Sequence, residues 1–153
     1  MLRSFALVLF LLLAPLMGYG QAVDRPALAA EVKQEFLHAW NGYKKHCWGR
    51  DDLKPLTKTC RDWYGESILM TPVDSLDSMY LLGFKKEADE TREYIVKNLS
   101  FDKDISVQNF EVTIRILGGL LSAYQMTNDK RLLDLADDLG RRLLPVFDSP
   151  TGL

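Results

Sequence analysis

The sequence is poor in the residues that soft metals and reactive thiols require, with 2 His and 2 Cys among 153 residues. His38 and His46 fall on one expected helix, and no Cys-x-x-Cys or His-Glu-x-x-His pattern is present. A zinc site is therefore not expected, and both histidines read as ordinary helix residues. Charge of one sign is also scarce. The formal net charge of -2 argues against a nucleic-acid binder that works by neutralising phosphates and against a polybasic membrane-surface protein. Gly (10) and Pro (6) are too few for a collagen-like or low-complexity chain, and no strand-like alternation of any length is visible. What is present, 47% hydrophobic and 26% charged residues, is the composition of a folded globular domain.

The one long apolar run is at the start. Residues 1–22 place an Arg near the N-terminus, an apolar stretch from Phe5 to Met17, and then small residues. This is the three-part pattern of a secretory signal peptide, with cleavage expected after Gly20 or Ala22 and the mature domain spanning 23–153. Pro15 interrupts the run, which falls short of the roughly 18 to 20 residues a membrane span needs, so an uncleaved anchor is the weaker reading. Export would carry Cys47 and Cys60 into an oxidising compartment where a disulfide persists. A bridge or two free thiols both fit the sequence, because spacing alone does not show whether the Cα atoms approach.

Beyond the leader, the chain reads as all-α. Leu28, Val32, Phe36, Ala39, Trp40, Tyr43 and Cys47 recur at spacings of three and four after Pro26, predicting one buried helical face. Gly49 to Met70 loses that period and reads as a long loop. A second helix is expected from about Asp74, with its carboxylate as the N-cap, to Gly83. A third is expected over Lys85–Asn98. Asn98-Leu99-Ser100 also matches the N-glycosylation acceptor pattern, which has meaning only in a eukaryotic secretory pathway.

A fourth helix, about Val107 to Met126, is apolar on more than one face, as interior helices are. Gly118-Gly119 at its middle suggests close approach by another element, since each Gly costs about 1 kcal/mol relative to Ala. A fifth helix, capped by Asn128 or Asp129, ends near Leu144-Pro145. Helices two and three, then four and five, form successive inner and outer pairs. Glu111 and Arg115 stand four residues apart on the interior helix, where bringing two charges out of water is costly. That placement marks them, with Asp74 and Asp77, as candidate functional residues.

Three blocks carry a resemblance: WNGYKKHCWGRDDLKP from Trp40, VDSLDSMYLLGF from Val73, and FEVTIRILGGLLSAYQMT from Phe110, with RLLPVFDSPTGL from Arg142 following in order. Together they resemble glycoside hydrolase family 47, the class I α-mannosidases that trim α-1,2-linked mannose. Two departures are mild: Asp52 stands where many relatives have Glu, and Cys47 where another small residue is usual. The resemblance implies an (α/α)7 barrel of alternating inner and outer helices, of which this chain holds the first, incomplete part. It also implies inverting hydrolysis with Glu111 as general acid, Arg115 as a substrate contact, and Asp74 as a residue needed for activity.

Implied as well are a monomeric enzyme acting on a mannose-containing oligosaccharide or N-glycan, and a calcium ion. The calcium ligand, the catalytic base and the remaining sugar-binding carboxylates belong to a later part of the family's domain, so no metal ligand is expected within these residues. Five helices cannot close seven pairs, and the isolated chain is expected to be inactive. Two other readings are a mannosidase-like glycan-binding or quality-control protein without catalysis and a free-standing helical-repeat interaction module.

Overall fold

A computed structural model describes residues 23–151, and the expected leader lies outside the described residues. The chain divides into two packing units, Met1–Glu35 and Phe36–Leu153. In the first, Asp24 opens helix α1 (Arg25–Cys47) by accepting the Ala27 amide at 3.1 Å, a side-chain N-cap. Leu28 and Val32 on that part of α1 are exposed, so the apolar repeat is not buried along its whole length. In the second unit, the last turns of α1 bury Trp40, Tyr43 and Cys47.

The remaining helices all belong to the second unit. They are α2 (Met70–Leu82), α3 (Lys85–Asn98), α4 (Asn109–Val112), a π-helical turn (Thr113–Leu117), α5 (Gly118–Thr127) and α6 (Lys130–Leu143), closed by a 3-10 turn at Leu144–Phe147. Their ends follow local chemistry. Gly83 takes φ 84° after α2 and returns its amide to the carbonyls of Met79 and Tyr80, a left-handed stop that favours glycine. Asp129 caps α6 by accepting the Arg131 amide at 3.1 Å.

Two-residue connections make α2 and α3, and then α5 and α6, antiparallel neighbours. The 109–127 helix packs on α2, while α3 touches α6. Thus α2 and 109–127 form the inner layer and α3 and α6 the outer one, as the paired-helix reading expects. The layers meet over Leu76, Met79, Ile95, Ile116, Leu120 and Leu132, all fully buried. Gly119 allows the closest approach. A Cβ built there would stand 2.8 Å from Val73 Cγ1 and 3.3 Å from the Val73 carbonyl, whereas one at Gly118 would meet only the Thr113 carbonyl at 3.6 Å.

Three further expectations need correction. The stretch from Gly49 to Met70 is not all loop: β1 (Asp52–Lys54) and β2 (Thr59–Arg61) form an antiparallel hairpin with Asp52 opposite Arg61 and Leu53 opposite Cys60. Strands of three residues are too short for alternation to register in the sequence. Helix α2 begins at Met70, so Asp74 lies inside the helix and caps nothing.

The third correction concerns the 109–127 helix, which is not covered all round among the described residues. Phe110, Ile114, Leu121 and Met126 are exposed, and the side chains of Glu111 and Arg115 are half-buried rather than interior.

Candidate active site

The true cap of α2 comes from far away in sequence. Leu69, just before the helix, is held at φ 55°, a left-handed conformation costly for a branched side chain. Asp51, 1% exposed, holds this turn with one carboxylate oxygen. That oxygen accepts the amides of Ile68 (2.8 Å) and Met70 (3.1 Å) and the Ser67 hydroxyl (3.0 Å). Its other oxygen accepts the Trp63 amide at 3.0 Å. The Asp51 carbonyl receives both the amide (3.1 Å) and the hydroxyl (2.6 Å) of Thr71. The Asp51 amide in turn donates to Asp62 at 3.1 Å. Burial works against the Asp62 anion, yet Arg50 and that amide outweigh it and keep its carboxyl below the usual Asp range. The hairpin is further tied to the end of α1, where Cys47 and Cys60 meet with sulfurs 2.11 Å apart and Cα atoms 5.4 Å apart.

This scaffold presents α2 to the 109–127 helix, and three of the four singled-out charges, Glu111, Arg115 and Asp74, meet there. Arg115 donates through Nε to Glu111 at 2.7 Å, one turn away on its own helix, and through a terminal nitrogen to Asp74 at 3.0 Å on α2. Arg115 lies inside the π-helical turn, a local widening that recurs at functional positions. Its guanidinium carbon stands 5.5 Å from the centre of the Trp63 ring.

Desolvation raises the Asp74 carboxyl above its ordinary value, with Asp77 and Glu111 adding in the same direction, and Arg115 offsets only part of this. Glu111 and Asp74 in turn stabilise the charged form of Arg115. Asp77 takes a separate course and accepts the Ser122 hydroxyl at 2.9 Å, linking α2 to α5.

Such an arrangement can offer a hydroxylated ligand carboxylate acceptors and a guanidinium donor, and can supply a carboxyl group as acid or base. An apolar groove of about 550 Å³ between 109–127 and α6, lined by Leu117, Leu121, Leu133 and Leu144 among others, includes none of the three charges. Among the described residues, no group of three or more His, Cys, Asp or Glu side chains is placed to hold a metal ion.

Glu111, Arg115 and Asp74 are brought together, as their positions in the motifs suggested. Sequence reasoning missed Asp51 and Trp63. The only signal for either was that Asp51 falls within WGRDDLKP, since Trp63 lies outside the quoted blocks.

The Glycosyl hydrolase family 47 model matches residues 35–153, and the chain belongs to that family. It is 49% identical over 120 residues to the endoplasmic reticulum mannosyl-oligosaccharide 1,2-alpha-mannosidase of Rattus norvegicus, which covers 78% of this chain and 18% of that protein. It is 45% identical over 123 residues to mannosyl-oligosaccharide 1,2-alpha-mannosidase MNS1 of Arabidopsis thaliana, covering 80% of this chain and 22% of that one. In structure it matches an alpha-1,2-mannosidase from Trichoderma reesei with a TM-score of 0.76 at 30% identity, over 84% of this chain and 29% of the other. The chain thus spans about a fifth of the length of these curated relatives. The paired inner and outer helices are the opening part of the family's (α/α)7 barrel, incomplete within these residues.

Proposed function

We propose that this chain forms the N-terminal part of the catalytic domain of an inverting exo-α-1,2-mannosidase that removes terminal mannose from mannosyl-oligosaccharides. The observation that carries this reading is the Arg115 bridge, which joins Glu111 of the FEVTIR block to Asp74 of the VDSLD block across two inner helices. The names of the relatives support the substrate class.

In this reading Glu111 is the acid that protonates the departing glycosidic oxygen, while a second carboxylate activates water on the opposite face of the sugar. That base, like any calcium the domain uses, comes from residues outside this chain. Asp74 holds the other side of the guanidinium, leaving Arg115 oriented toward sugar hydroxyls.

The endoplasmic reticulum relatives support a secretory-pathway lumen as the compartment, reached through the leader at residues 1–22. No described helix is long and apolar enough to cross a membrane.

The test is to express the protein from its complete reading frame, supply a mannosyl-oligosaccharide, and follow the released sugar by proton NMR. Release of β-mannose first, from an α-linkage, is the expected result. Glycan binding without any release would replace this reading with that of a catalytically silent lectin-like relative.

A further inference from the structure

Arg115 has three neighbours, and two of them explain only part of its placement. Glu111 and Asp74 each take one edge of the guanidinium, yet its side chain stays 38% exposed. Exposed ion pairs fix geometry weakly, because screening and side-chain entropy offset their attraction. The third neighbour is Trp63, whose ring centre lies 5.5 Å from the guanidinium carbon, within the range in which a cation is drawn to an aromatic face.

Trp63 is itself held by more than packing. Its amide is bound by the buried Asp51 carboxylate at 3.0 Å. A second guanidinium, Arg61, stands 5.3 Å from the ring and is ion-paired with Asp52 across the hairpin. The indole Nε1 is buried without a hydrogen-bond partner, so no polar contact of the ring accounts for where it sits. The ring also packs against the hydrophobic core and lies edge-on to Tyr64, ring centres 6.5 Å apart.

We infer that Trp63 is a positioning residue whose aromatic face holds the Arg115 guanidinium in the orientation that spans Glu111 and Asp74. The role in catalysis rests on the mannosidase reading above; the contact itself does not. The chain of support runs from Asp51, through the Trp63 amide and the indole face, to Arg115. It gives the hairpin a purpose in the site although it contributes no reacting group.

The experiment compares Trp63→Phe with Trp63→Leu in the protein expressed from its complete reading frame. Phe keeps an aromatic face and Leu keeps apolar bulk, so a role limited to packing would treat the two alike. The expected result is that W63F retains kcat for mannose release within about twofold, while W63L loses about tenfold, the scale of a partly desolvated cation–π contact. KM and Tm should move similarly in both.

The Arg115 Nε–H resonance should keep its ring-current shift in W63F and lose it in W63L. Equal kcat in the two variants with an unmoved resonance overturns the inference, as does a loss in W63F matching that in W63L. Should W63L fail to fold, Trp63→Met is judged by the same criteria. A wild-type protein that releases no mannose sinks the mannosidase reading alone, since the Arg115 resonance still decides whether Trp63 holds the guanidinium.

Discussion

Arg115 and Asp74 stand 41 residues apart in sequence and 3.0 Å apart in space, joined by a guanidinium that also holds Glu111. The ion pair crosses from one inner helix to the other at a surface half-open to solvent. Its stabilising effect is accordingly modest, on the order of a few tenths of a kcal/mol for exposed pairs. Chemistry is the better reason for it.

Glu111→Gln separates the two roles. It keeps the volume and an acceptor for Arg115 but removes the titratable proton. In the protein expressed from its complete reading frame, turnover should fall by about three orders of magnitude or more, the scale of losing a general acid. Thermal stability should change by less than about 1 kcal/mol. Nearly intact turnover would remove Glu111 from the acid's role.

The Gly118-Gly119 pair should split in its response to alanine. Gly119→Ala drives a Cβ into the Val73 side chain and carbonyl, and backbone does not yield cheaply. A loss of roughly 1 to 3 kcal/mol is expected from such overpacking. Gly118→Ala meets nothing closer than ordinary contact and should be neutral or stabilising by up to about 1 kcal/mol through helix propensity. Urea unfolding of both variants checks this, and equal effects would refute the close-approach account.

Replacing both Cys47 and Cys60 by Ser should lower the unfolding free energy by about 3 kcal/mol, given a closed loop whose ends are 13 residues apart. The native protein should show no titratable thiol until it is denatured and reduced. Two thiols reacting in the native protein would mean that the bridge does not form.

Asp62 should leave a mark on acid stability. Its carboxyl is depressed in the folded state, so the unfolded chain binds the proton more readily. The contribution is fully present above the ordinary Asp value of about 3.9 and is lost as pH falls through the lower folded value. Asp62→Asn should reduce stability at neutral pH and flatten the stability–pH curve on the acid side of that value. Parallel wild-type and variant curves would exclude the Arg50–Asp62 pair as a source of the pH dependence.

Where structure is set locally, it was legible in the sequence. The Lys85–Asn98 helix was read to its observed ends, Gly83 stops α2 by its own φ, and Asp129 caps α6 through an amide two residues on. The start of α2 was not legible, because the group that fixes it lies 19 residues earlier. Asp74, an acidic residue near an apolar run, offered a plausible cap that Asp51 had already made unnecessary. The site was half legible. Motifs singled out Glu111, Arg115 and Asp74, but no periodicity marks Trp63 as the surface beneath the guanidinium. The helical pattern of 109–127 likewise hid its π-helical turn and overstated how deeply its charges are buried.

The cap supplied by Asp51 makes the beginning of α2 a tertiary event. Helix nucleation is costly when it must fix several residues for one bond, and here the Ile68 and Met70 amides find their acceptor only after the intervening chain has closed into its hairpin. The disulfide between Cys47 and Cys60 shortens that search by fencing in about half of the same loop. The register of the helix that carries Asp74 is thus decided by a long-range closure, and the alignment of Asp74 with Arg115 inherits its accuracy from that folding step.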